Sequence, residues 1–168
     1  GGTTNAFTSL EDTSYFFDVG APHLVAALDR FAQFFVAPRF DAAYVDRERH
    51  AVDAEYHLKI KDDGRREWDV LSELVNPTHP LAGFSVGALD TLADRPGAPV
   101  RDDLLRFYRA PYSADQLTFV VLGRVSLAEL EAAVSSRLSA VPKPAEQPPP
   151  APKPPFAPRP PPQPLLQP

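Results

Sequence analysis

The chain has 168 residues and a mass of 18.4 kDa, enough for one sizeable core, yet 14 of its 21 prolines fall between Pro142 and Pro168. Its net charge is −5, or −7 over residues 1–141 once Lys143, Lys153 and Arg159 are set against Glu146. The basic residues form no cluster able to follow a phosphate backbone, no apolar run nears the roughly 20 residues of a bilayer span, and without cysteine there is neither a disulfide framework nor a zinc–thiolate site. Nucleic acid and membrane insertion are thus set aside. The absence of any Met reads as a piece of a longer protein.

Thr3–Ser9 and Thr13–Val19, rich in β-branched and aromatic residues and separated by Leu10-Glu11-Asp12, predict an antiparallel hairpin, with the polar Thr3-Thr4-Asn5 stretch as its edge strand. Pro22 suits the first turn of a helix. Leu24, Leu28, Phe31 and Phe35 then recur at spacings of 4, 3 and 4, a buried stripe that Pro38 terminates. Asp41 is an N-cap candidate for a second helix reaching about Lys61, with Tyr44, Val45, Ala51 and Val52 as its apolar stripe. Asp62-Asp63-Gly64 reads as a break. A third helix is expected from about Arg66 to Val75, with Trp68, Leu71, Leu74 and Val75 on one side, before Asn76-Pro77-Thr78-His79-Pro80 stops it.

Residues 81–99 are punctuated as loop, and Val100–Ala110 reads as helix. Gln116–Gly123 is a near-continuous apolar run, which predicts an interior strand covered on both faces. Ser126 with Glu129 makes a capping box, opening a helix that turns Leu127, Leu130, Val134 and Leu138 inward. The expected fold is therefore α+β, a mixed β-sheet covered by helices over residues 1–141. Residues 142–168 follow as a disordered Pro-rich linker or tail, with a docking site for a proline-binding domain as the alternative.

Chemistry-bearing residues are sparse. Glu48 and Glu55 are seven apart, two helical turns, and so share a face with Val52 and Ala51 beside it. Two carboxylates on a buried stripe are costly unless paired, protonated or bound to a metal; the plain alternative is a stripe margin with Arg47 or Arg49 as partners. His50 and His57 lie on a rotated face, and His23 and His79 read as surface and loop residues. No Ser/His/Asp arrangement and no glycine-rich phosphate loop is present.

Several segments in order resemble peptidase family M16, the insulinase/pitrilysin metallopeptidases, and most closely the pitrilysin and insulin-degrading enzyme branch. They are Gly1–Ser9 with Thr13–Val19, Ala27–Phe35, Asp46-Arg47-Glu48 through Ala51-Val52-Asp53-Ala54-Glu55, Asn76–Pro80, Phe84–Gly87 and Val120-Val121-Leu122-Gly123. The resemblance spans about residues 1–141 and implies part of the first, catalytic domain of a zinc metalloendopeptidase, incomplete at its N-terminus. It implies that Glu55 is a zinc ligand and that Glu48 supports the metal site from behind. It also implies that Asn5, Ala6 and Phe7 receive an extended peptide along a sheet edge. Asn5 has a structural reading too, beside a turn.

The family's His-x-x-Glu-His element, which supplies two more ligands and the general base, is not found among the four histidines, so the base and those ligands are expected upstream. The chain alone is then expected to be inactive. The partners implied are a peptide or unfolded polypeptide and the remaining M16 domains. The bacterial periplasm is the compartment the resemblance favours, with the cytoplasm open. A non-catalytic, binding or structural M16-like half is the alternative.

Overall fold

A computed structural model describes residues 1–83 and 86–143. The expected disordered tail from Pro144 onward, and Phe84 with Ser85 of the Phe84–Gly87 segment, lie outside the described residues. The architecture is α+β, and its described part divides into two compact units, residues 1–39 with 106–143 and residues 40–105.

In the first unit, β1 (Gly2–Thr8) pairs antiparallel with β2 (Thr13–Val19) in the register Gly2↔Val19, Asn5↔Phe16 and Thr8↔Thr13. The Ser9 N–H donates to the Asp12 carbonyl at 2.8 Å and closes the turn. Side chains alternate along β2, so Tyr15, Phe17 and Val19 turn toward the helices while Phe16 and Asp18 face solvent. After a 3-10 turn at Ala21–His23 that contains Pro22, α1 (Leu24–Val36) runs to the residue before Ala37-Pro38.

The periodic stripe on α1 is the core of this unit: Leu28 is 1% exposed, Ala32 and Phe35 are buried, and Phe31 is half-buried. Phe31 lies 4.8 Å from the Phe17 ring, and Phe35 meets Tyr15 edge-on at 5.5 Å. The final helix, α5 (Leu127–Leu138), opens with the expected capping box, Ser126 and Glu129 each bonding the other's backbone N–H. It packs on α1 through Leu130, with Arg137 3.7 Å from Asp29, but Leu127 is exposed rather than inward. Leu127 is the first residue of the helix, and burial begins at Leu130, three residues on.

Residues 117–123 depart from the expected interior strand. They belong to no helix and no ladder among the described residues, yet half-buried Leu117, Phe119, Val121 and Gly123 alternate with exposed Thr118, Val120 and Leu122, as in an extended chain. Phe119 packs against Phe35 at 5.5 Å and Phe31 at 6.1 Å, whereas Val120 and Leu122 are 88% and 93% exposed. The expected mixed sheet therefore consists, among the described residues, of two antiparallel strands. At Gly123 a Cβ would come within 3.0 Å of Leu130 and 3.1 Å of Leu24, so glycine permits this close approach.

In the second unit, α2 (Ala42–Lys59) is followed by α3 (Asp63–Ser72). The Asp62-Asp63-Gly64 stretch is a helix start rather than a break. Asp62 Oδ1 accepts from the Arg65 N–H at 2.9 Å, and that cap outweighs the helix cost of Gly64. Consequently α3 begins and ends three residues before the expected span, burying Ser72 while Leu71 and Leu74 stay exposed. Tight turns follow, including a 3-10 turn at Pro80–Ala82 and a bridge between Arg95 and Ala98 in which Gly97 takes a φ of 73°. The last helix of this unit, α4 (Val100–Arg109), starts with its Val100 N–H donating to Asp94 Oδ1 at 2.8 Å. Its final four residues belong to the first unit.

Leu28, 1% exposed, is the most buried of the larger aliphatic side chains among the described residues, and Leu28→Ala should destabilise the chain by roughly 2–5 kcal/mol, measured by urea denaturation. A second test uses three tyrosines of the first unit. The Tyr15 and Tyr112 hydroxyls share a hydrogen bond of 2.5 Å, and the Tyr108 hydroxyl donates to the Phe35 carbonyl at 2.8 Å. Burial first, then the Tyr112 hydroxyl, holds Tyr15 well above the ordinary tyrosine range; burial and the same neighbour also raise Tyr108. The folded chain thus keeps protons that the unfolded chain releases near pH 10, so this stabilisation is complete below pH 10 and is lost as pH rises above it. Stability measured from pH 8 to 12 should fall at the alkaline end, and Tyr15→Phe should make that fall shallower.

Candidate functional site

Two sets of residues carry the functional expectation, one in each unit. On the hairpin, Asn5, Ala6 and Phe7 are exposed on β1, as is every residue of that strand. The edge of β1 away from β2 has no strand partner among the described residues, so its backbone groups are open to pairing. Asn5 Oδ1 accepts from the Ala6 N–H at 2.8 Å, so the carboxamide lies on the strand's own backbone. The Phe7 ring stands 6.4 Å from Phe16 on the solvent face. This arrangement can present main-chain donors and acceptors beside a small residue and an aromatic surface.

The glutamates lie on α2, where the structure corrects the expected buried face. Val45, Arg49, Val52, Asp53 and Tyr56 form the half-buried stripe, while Tyr44, Glu48, Ala51 and Glu55 are exposed. At 3.6 residues per turn, Glu48 and Glu55 sit about 60–80° round the helix from Val45. Their side chains are 64% and 60% exposed. Glu48 pairs with Arg47 at 3.0 Å, and Glu55 pairs with Lys59 at 3.3 Å across one turn. Such exposed pairs contribute little, about 0–1 kcal/mol, and leave the carboxylates available.

The nearby polar residue that sequence reasoning missed is Asp53. Its Oδ1 accepts from the Leu89 N–H at 2.9 Å, joining α2 to the loop before Asp90, while its Oδ2 lies 3.5 Å from His57 Nδ1. A lone Asp one turn before a histidine carries no warning of this contact, because Leu89 is 36 positions away.

A catalytic zinc site needs three protein ligands, and no group of three or more His, Asp or Glu side chains converges among the described residues. Glu55 offers one carboxylate whose partner is a cation, His57 bonds the Asp53 carbonyl, and His50 lies 4.0 Å from Asp46. These residues do not by themselves fit a zinc ion. No helix of the described residues is long and apolar enough to cross a membrane.

Comparison with known proteins gives a consistent answer. The family model for insulinase (peptidase family M16) matches residues 1–78, and that for the peptidase M16 inactive domain matches residues 99–168. Human insulin-degrading enzyme is 45% identical over 143 residues, covering 83% of this chain. A Schizosaccharomyces pombe protein carrying a provisional zinc-protease name is 39% identical over 152 residues, covering 84%. The crystal structure of pitrilysin superimposes with a TM-score of 0.86 at 35% identity over 93% of this chain. The chain spans only 14% and 16% of those two relatives' lengths and 17% of the pitrilysin chain. Family matches at both ends, these identities and the shared fold agree: the chain belongs to peptidase family M16, as a part of an insulinase/pitrilysin-type protein.

Proposed function

We propose that this chain is a partial catalytic domain, residues 1–141 with a linker beyond, of a zinc-dependent metalloendopeptidase that acts on peptides or unfolded polypeptides. The observation that carries the reading is the pair Glu48 and Glu55, two turns apart on one exposed side of α2 and engaged, among the described residues, by surface ion pairs. Membership of the family and the zinc-protease name of one relative support zinc as the metal. On this reading Glu55 contributes one of three protein ligands, Glu48 orients the metal site, and the other ligands and the general base come from outside these 168 residues. Asn5, Ala6 and Phe7 take the substrate as an added strand, with the Asn5 carboxamide released from Ala6 to bond it. Further M16 domains of the longer polypeptide complete the enzyme, with the bacterial periplasm as the favoured setting and the cytoplasm as the other.

A second reading, a non-catalytic half, draws on the inactive-domain model that matches residues 99–168. The two separate in the longer protein. Glu55→Gln should lower peptide hydrolysis more than 100-fold and reduce zinc content, because a neutral amide is a weak zinc ligand. Glu48→Gln should cost on the order of 10–100-fold. Retained activity and zinc after Glu55→Gln would overturn the assignment, and zinc-free protein without hydrolysis before any substitution would favour the non-catalytic half. For residues 1–168 alone, calorimetry should show no zinc binding at micromolar affinity.

A further inference from the structure

Within the second unit, apolar packing alone fixes the roll of α2 poorly. No residue of the helix is fully buried, and its half-buried side, through Val45, Arg49, Val52, Asp53 and Tyr56, includes two charged groups. Asp53 discriminates more sharply. Its Oδ1 accepts from the Leu89 N–H at 2.9 Å, and rolling the helix by one residue, about 100°, would carry the carboxylate away from that donor.

The donor is itself held in place. Thr91 Oγ1 accepts from the Ala88 N–H at 2.8 Å and donates to the Ala88 carbonyl at 3.0 Å. The Leu92 N–H donates to that same carbonyl at 2.9 Å, and Ala88 is buried. The Leu89 amide follows directly on this knot, so its direction is set without help from α2. On the helix, Glu48 and Glu55 lie about 140° and 160° round from Asp53, on the side away from the 88–92 turn.

We propose that Asp53 is a positioning residue, whose bond to the Leu89 amide sets the roll of α2 and so aims the Glu48 and Glu55 carboxylates. This rests on the reading of those glutamates as site carboxylates and extends it to a group on the opposite face of their helix. What the anchor needs is an acceptor rather than a charge. A backbone N–H is served equally by a carboxylate or a carboxamide oxygen, so Asn at position 53 keeps the bond and Ala removes it. His57 Nδ1 stands 3.5 Å from Asp53 Oδ2 but bonds the Asp53 carbonyl at 2.9 Å, a main-chain contact open to any residue there.

The chain has no cysteine, so the roll can be read in the longer protein by maleimide labelling of Val52→Cys, half-buried, against Ala51→Cys, exposed, each located by peptide mass. Adding Asp53→Ala should speed labelling at position 52 at least 10-fold relative to position 51. In the protein without these cysteines, Asp53→Ala should lower kcat for peptide hydrolysis about 10–100-fold with KM changed less than about threefold. Asp53→Asn should bring the labelling ratio and kcat back to within about threefold of the parent. If Asp53→Ala does not fold, Thr91→Val, which releases the turn carrying Leu89, should move both readouts in the same direction. Unchanged labelling would overturn the proposal, as would faster labelling with kcat intact or an Asn variant as impaired as the Ala one. A parent protein without hydrolysis would sink the peptidase reading instead, and the labelling ratio would still decide whether Asp53 sets the roll.

Discussion

The organisation of the first unit rests on two phenylalanine rings one helical turn apart. Phe31 and Phe35 on α1 are touched by β2 through Phe17 and Tyr15 and by the 117–123 segment through Phe119. Aromatic contacts of this kind contribute about 0.5–1.5 kcal/mol each beyond the area they bury. They also fix which alternate side chains of each extended segment turn inward. Shifting β2 by a single residue would replace Tyr15, Phe17 and Val19 with Ser14, Phe16 and Asp18 on the helix side, so the register of the hairpin follows from the helix stripe.

The second unit is held differently. Its buried side chains are few, Val75, Ala88, Val100 and Ser72 among them, and polar ties do the joining. Asp53 holds the Leu89 amide, Asp94 holds the first turn of α4, and the Arg101 guanidinium donates to the Phe40 carbonyl at 2.6 Å, where Phe40 itself has a φ of 46°. A non-glycine residue in the left-handed region is uncommon and requires surrounding contacts to hold it. Because little apolar surface anchors α2, its orientation is set by Asp53 and by the half-buried stem of Arg49 as much as by Val45 and Val52.

That difference explains what was legible in the sequence. The hairpin, the α1 stripe and the Ser126 capping box depend on residues within a few positions of each other, and they appear as read. The α2 stripe does not, because its apolar residues are too scattered to choose a face; Asp53, reaching across 36 residues, helps to choose it. Glu48 and Glu55 do share one side of the helix, as their spacing requires, but it is the exposed side, and Glu48 pairs with Arg47 there. The expected interior character of Gln116–Gly123 was a statement about neighbours on both faces and both edges. Sequence shows the appetite for such neighbours but does not name them.

Among the described residues, the two edges of the sheet are chemically unlike. β1 carries Thr3, Thr4, Asn5 and Thr8, is exposed throughout, and uses Asn5 to cover the Ala6 amide. A polar, self-covered edge resists casual pairing yet yields to a backbone that can displace one carboxamide. The far side of β2 faces aromatic rings and the bare Val120 and Leu122, surface that water penalises at about 25 cal/mol per Å². The hairpin is thus asymmetric, polar along β1 and bordered by apolar side chains beyond β2.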